Sequence, residues 1–215
     1  MNELMSALPQ LLNGLKVTLQ LFFLTIILSI PLGFFTSLLR LSKIKPISWF
    51  TGVYIWALRG SPLLLQVFFV YFALPLIGPG WLKFDNFTAA LIAFVLNYSV
   101  YFAEIFRAGI NSIDIGQYEA AKALGFTYPQ TMTKIIIPQM VRLVLPPVSN
   151  ETITLVKDTA LVSIVALVDL MRATQLRVAS TSSISPFFIA GAFYLVMTLI
   201  LTVFFNKLEK RLCSY

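Results

Sequence analysis

The sequence contains no histidine, only one cysteine, Cys213, and few charges, 12% of its 215 residues. Without histidine the chain can hold neither a Ser–His or Cys–His nucleophile pair nor an imidazole metal site. A single cysteine excludes an intrachain disulfide and a thiolate zinc cluster. A Ser–Lys hydrolase would survive these exclusions, but no serine stands in clear register with Lys157. The shortage of charge excludes more. Soluble domains carry about 25% charged residues to cover their surface. Here 58% of the residues are hydrophobic and they come in long runs, so a water-facing surface cannot be built. No GxxxxGK[ST] phosphate loop occurs, so the chain has no ATP site of that kind. No internal repeat of the kind common in ion-coupled carriers is visible. The first apolar run, Val17 to Leu39, is too long for a cleavable signal and lacks a clear cleavage site.

What is present reads as an all-α, polytopic membrane protein. A helix needs about 20 mostly apolar residues to cross the hydrocarbon layer. Five stretches approach that length, at 15–39, 62–77, 87–106, 143–168 and 187–205. Ile47 to Leu58 is too short to cross and carries Trp49, Tyr54 and Trp56, rings that suit the headgroup level. It reads as an interfacial helix leading into Arg59-Gly60-Ser61-Pro62, where Ser61 would cap the next helix and Pro62 take its first position. A six-span count is the alternative.

The net charge of +7 would suggest nucleic acid in a soluble protein. Here the cations lie between the apolar runs, where they set orientation, and no nucleic-acid partner is expected. Arg40, Lys43, Lys45, Arg59, Arg107, Lys122, Lys134, Arg142, Lys207, Lys210 and Arg211 fall on one side; Lys16, Lys83, Arg172 and Arg177 fall on the other. The first group belongs in the cytoplasm, which puts the N-terminus outside and the C-terminus inside. Arg172 and Arg177 are then either ordinary solvated charges or contacts to an acidic patch on an external partner.

The loop 107–142 predicts two short helices outside the membrane. Asp114 with Gln117 resembles a capping box, and Gly125 is placed to end the helix it starts. Tyr128-Pro129 begins a second helix, which Pro138 stops. Ala120 and Ala121 lie on the exposed face of the first, where small side chains permit close approach of another surface. Packing beneath the chain's own bundle is the other reading.

Glu119-Ala120-Ala121, then Gly125, Ile135 and Ile137-Pro138, resembles the EAA loop of ABC importer permeases. The family usually has Leu before the proline, so Ile137 is a mild departure. RGSPLLLQVFF at 59–69, AEIFRAGI at 103–110, IDIGQYEAAKALG at 113–125 and LVKDTALVSIV at 155–165 are similar to the polar amino-acid permeases. The resemblance covers nearly the whole chain. It implies a type I importer in a prokaryotic plasma membrane, working by alternating access. Its partners would be a second permease subunit, identical or related, two ATPase subunits that bind the EAA loops, and an external amino-acid-binding protein. ATP and Mg would sit on the ATPase, with no cofactor bound by this chain. Glu119, Ala120, Ala121, Gly125 and Pro138 would form the ATPase-coupling element.

The fourth span carries Asn150, Glu151, Thr154, Lys157 and Asp158. At about 100° per residue they fall within an arc of roughly 120°, one polar stripe on an apolar helix. Three central charges cost up to about 10 kcal/mol on the insertion scale, while the 13 Leu, Ile and Val residues of the span return ~4–8 kcal/mol. The stripe therefore belongs in the bundle interior or a watery cavity. Pro146-Pro147 should bend or break the helix. As a site for a zwitterion, Lys157 would meet the α-carboxylate and Glu151 and Asp158 the ammonium or a basic side chain, with Asn97 and Thr154 adding hydrogen bonds. A Lys157–Asp158 or Glu151–Lys157 pair locking helices together is the structural alternative. Glu104 and Arg107, three apart at the cytoplasmic edge, read as a structural ion pair.

Overall fold

The computed structural model describes residues 2–213, and among them all regular structure is helical. The first helix, α1 (Asn2–Arg40), is far longer than the expected span. Its apolar part, Leu8–Arg40, has 33 residues, or about 50 Å at 1.5 Å per residue. That exceeds the ~30 Å of hydrocarbon, so α1 tilts or projects beyond the bilayer. One face of α1 is lined with small polar residues, Thr18, Thr25, Ser29 and Ser37, all buried. Small side chains let backbones approach closely where lipid supplies no hydrophobic drive. Gly33 marks one close approach: a Cβ there would stand 2.7 Å from the Ser99 carbonyl oxygen.

The helix against which α1 packs is α4 (Asn86–Asn111). It runs through the centre of the bundle, burying Phe94, Tyr98, Phe102 and Phe106 along one face. Asp85 caps its start by accepting hydrogen bonds from the Phe87 and Thr88 amides.

Between these two helices lie α2 (Lys45–Gly60) and α3 (Leu63–Ile77), joined at a bend of 103°. The segment expected to lie at the interface is helical, as α2, with Trp49, Phe50 and Trp56 exposed. Ser61 does not cap the next helix. Its hydroxyl donates backward to Ala57 O (2.9 Å), and Pro62 takes the cap position of α3. Gln66 closes the elbow instead. Its Nε2 donates to Leu58 O (2.8 Å), a carbonyl that the end of α2 would leave orphaned, and to the Ser61 hydroxyl (2.9 Å). A π turn, Phe69–Ala73, interrupts α3.

The loop between α4 and the following long helix differs from expectation in its second half. The first short helix, α5 (Ile115–Ala123), forms as the caps require. Asp114 Oδ1 accepts from Gly116 N (2.7 Å), though the Gln117 side chain accepts from Gln139 rather than completing a box. Gly125, at φ +77°, ends the helix with Gly125 N donating to Lys122 O and Phe126 N to Ala121 O. That pairing is the Schellman motif, which requires the left-handed conformation glycine adopts freely. The second short helix, α6 (Tyr128–Thr131), starts with Gln130 Oε1 accepting from Thr127 N (2.9 Å). Pro138 does not stop it. A π turn, Met132–Ile136, carries α6 directly into α7 (Ile137–Asp158), where Pro138 occupies the first turn and has no intrahelical N–H to lose. Nor do Pro146 and Pro147 break α7, which stays α-helical through both. A 3-10 segment, Thr159–Val165, then leads to α8 (Leu170–Thr181) and the peripheral α9 (Ser185–Cys213).

Among the described residues, three helices are long and apolar enough to cross a membrane: Leu8–Arg40, Asn86–Asn111 and Ser185–Leu212. The bent pair α2–α3 makes a fourth candidate. The segment 62–77 does not qualify alone, and α7 falls short because Arg142, Glu151, Lys157 and Asp158 interrupt its apolar run.

Candidate functional site

The polar stripe of α7 forms as the helical spacing requires, because the helix is unbroken from Ile137 to Asp158. Its opposite face packs inward through Val144, Leu145, Thr152, Leu155 and Val156. Asn150 and Lys157 are exposed, while Glu151, Thr154 and Asp158 are half-buried. Neither expected lysine–carboxylate pair forms within salt-bridge distance, whereas Glu104 pairs with both Arg107 and Arg59. Asp158 has a different partner. Tyr98, buried in the middle of α4, donates its hydroxyl to Asp158 Oδ2 at 2.7 Å, tying the end of α7 to the central helix. Glu151 lies within electrostatic range of both Asp158 and Arg59.

Asn97 is buried rather than open to a cavity. Its Nδ2 donates to Gln66 Oε1 at 3.1 Å, so it joins the chain of bonds that closes the α2–α3 elbow. Asn97, Tyr98 and the stripe occupy neighbouring positions, but the structure spends Asn97 on Gln66. Sequence reasoning singled out neither Gln66 nor Tyr98. The signal available was a polar group in each of two apolar runs, since a buried polar side chain must find a partner.

Toward the other end of α4, Glu104 takes the expected pair with Arg107, through Nε at 3.0 Å and Nη2 at 2.8 Å. It also faces Arg59, 3.9 Å away, a partner that the local spacing does not reveal. Arg59 lies over the ring of Tyr101, 5.2 Å from its centroid.

In the loop, Glu119, Ala120, Gly125 and Pro138 are exposed. Ala121 is not on that face: it is 1% exposed and packs inward, a correction to its expected place beside Ala120. Two apolar residues extend the exposed surface, Leu124 at 76% and Tyr128 at 70%.

A charged stripe open on one side and a loop with uncovered apolar groups form an assembly surface rather than an enclosed active site. The model of the binding-protein-dependent transport system inner membrane component matches residues 29–213. The chain belongs to this family. It is 41% identical over 209 residues to an arginine transport system permease protein of Bacillus subtilis (strain 168), covering 96% of this chain and 94% of the relative. It is 36% identical to an L-cystine transport system permease protein of the same organism, covering 96% and 88%. In three dimensions it matches the crystal structure of an amino acid ABC transporter with histidines, at a TM-score of 0.89 and 37% identity over 97% of this chain and 96% of that one. Family membership carries the permease role: this is a membrane subunit of an ABC transporter for amino acids. The ion-gradient carrier finds no support among these relatives.

Proposed function

We propose that the chain forms one half of the translocation path of an amino-acid importer in a prokaryotic plasma membrane. In this reading it is a single transmembrane domain of five spans with the N-terminus outside and the C-terminus in the cytoplasm. The bent pair α2–α3 supplies one span, and α7 with its 3-10 extension another. The loop 107–142 faces the cytoplasm. Asn150 and Lys157 carry the proposal. They are exposed on a helix that lies within the bilayer, and lipid cannot solvate them. A second permease subunit, identical or related, covers the stripe and encloses a polar path between the two.

The solute meets Lys157 through its carboxylate, and Glu151 and Asp158 through its ammonium or a basic side chain. Thr154 lies between them. Asn97 acts from behind, by holding Gln66. Two acids beside one lysine favour a cationic or doubly zwitterionic amino acid, and relatives named for arginine and L-cystine transport fit that balance. Glu119, Ala120 and Gly125, with Leu124 and Tyr128 beside them, dock a separate ATPase that holds ATP and Mg. Pro138 belongs to the same coupling element, and Ala121 supports it from below. An external binding protein delivers the solute.

The test is uptake by the complete complex in proteoliposomes, with competition across the amino acids. Arginine, lysine or cystine should compete best. Glu151→Gln should lower uptake while leaving the yield of folded protein unchanged; undiminished uptake removes Glu151 from the site. Cross-linking from residue 120 should capture the ATPase, and failure to find any ATPase bound there overturns the coupling role.

A further inference from the structure

A groove of about 460 Å³ runs between the end of α2, the cytoplasmic third of α4 and the start of α7. Arg59, Glu104 and Arg107 line one side, and Leu143 and Pro147 line the other. The two α7 residues tie the groove to the stripe. With Asn150 at zero, Leu143 falls at about 20° and Pro147 at about 60°, inside the arc that holds Glu151, Thr154 and Asp158. Pro147 stands one turn below Glu151 on a continuous helix, so stripe and groove follow one another along the same face. Arg59 acts electrostatically on Glu151, which spans the step between them.

The three charges are not used equally. Arg107 grips Glu104 with two short bonds. Arg59 stands off at 3.9 Å with 44% of its side chain exposed, held mainly by the face of Tyr101. Two guanidinium groups share one carboxylate, so the groove carries an excess of positive charge. A contact so long and so exposed contributes little to stability, which leaves the planar donor fork of Arg59 available to a carboxylate. A buried structural lock would have the opposite character, short and fully desolvated.

We infer, on the strength of the permease reading above, that Arg59 and Glu104 form a second station for the solute on the cytoplasmic side of the stripe. An amino-acid zwitterion leaving Lys157 and Glu151 passes its carboxylate to Arg59 and its ammonium to Glu104. Arg107 holds Glu104 in place. The station keeps both charges of the solute paired while it crosses the last apolar rim of the path at Leu143 and Pro147.

The experiment uses the complete complex in proteoliposomes, with radiolabelled arginine or cystine outside and ATP supplied to the ATPase side. Uptake and solute-stimulated ATP hydrolysis are measured together. Arg59→Gln should cut uptake about tenfold, the loss of one charge-assisted contact, while hydrolysis stays within about twofold of the parent. Arg59→Lys keeps the charge but loses the fork and should recover uptake only in part, to about one third of the parent's. Undiminished uptake in Arg59→Gln overturns the station, as does an equal fall of uptake and hydrolysis, which marks a merely structural residue. If Arg59→Gln does not assemble, Arg59→Lys carries the test alone, and uptake equal to the parent's overturns the proposal. Absence of ATP-driven uptake in the parent complex would instead strike the permease reading itself, so the two failures are told apart.

Discussion

Helices α4 and α9 have the same gross character, each more than 25 residues long and rich in apolar side chains, yet they live in different solvents. Within the chain, 61% of the apolar stretch of α4 is buried and only 6% of that of α9. Hydropathy does not separate them, because lipid and protein interior are equally apolar. What separates them is the minority of small and polar residues. Ala89, Ala90, Ala93, Asn97, Ser99 and Gly109 let α4 pack closely and bond across to its neighbours. At Gly109 even a methyl group would collide with Val144. Phe188, Leu195, Leu199 and Phe204 of α9 are large and exposed, and the hydroxyls of Thr198 and Thr202 bond back to their own helix. In a membrane protein the polar residues mark the inside.

The largest expected effect lies in paired truncations. Phe94→Ala in α4 opens a cavity in a fully buried site and should cost about 3–5 kcal/mol, whereas Phe188→Ala, on a ring 73% exposed, should be near neutral. Thermal unfolding of the purified protein in one detergent compares the two, and equal losses would erase the distinction between the helices. A middle-sized effect is expected at Asn97. Asn97→Leu leaves Gln66 Oε1 without its donor and should cost ~1–3 kcal/mol. The double variant with Gln66→Leu should lose less than the sum of the two single changes, because the bond is shared. Additive losses would show that the two side chains act separately.

The smallest effect concerns the helix starts. Asp85→Ala removes the cap of α4 and should cost at most about 1 kcal/mol; Asp85→Asn should be tolerated. At α9, Ser183 Oγ accepts from Ser185 N at a longer 3.3 Å, so Ser183→Ala should cost less still. The hydrogen bonds from Thr88, side chain and then backbone, hold the Asp85 carboxyl below the usual carboxylate range. A carboxyl whose pKa falls on folding contributes stability that is complete above its unfolded pKa and is lost as the pH drops through the folded one. The parent should therefore lose this small increment on the acid side of about pH 4, and Asp85→Asn should not. A stability profile below that pH that is the same for both would remove Asp85 as its cause.

Much of this was legible in the sequence. Apolar runs located α1, α4 and α9, the aromatic segment located α2, and Asp114 and Gly125 bounded α5, because each rests on local rules of length, capping or backbone freedom. The polar stripe of α7 was legible for the same reason, since a helical repeat fixes which residues share a face. What failed were the prolines. Pro138 read as a stop and Pro146-Pro147 as a bend or break, yet no break forms: one lies in a first turn and two inside α7. Neighbouring helices can support the carbonyls that a proline frees, and local spacing carries no trace of those neighbours. The partners were hidden likewise. Tyr98 lies 60 residues from Asp158 and Gln66 lies 31 from Asn97, so only the tertiary fold pairs them. The inward turn of Ala121 was missed because a nine-residue helix carries too few apolar positions to fix which side meets the bundle.

The open flank of α7 has a consequence for the life of the protein in the cell. On the proposed reading, a copy made without a second permease subunit would present Asn150 and Lys157 to hydrocarbon, a defect that membrane quality-control proteases are suited to detect. Synthesis of the two proposed halves would then have to be matched, with any surplus carrying its own signal for disposal.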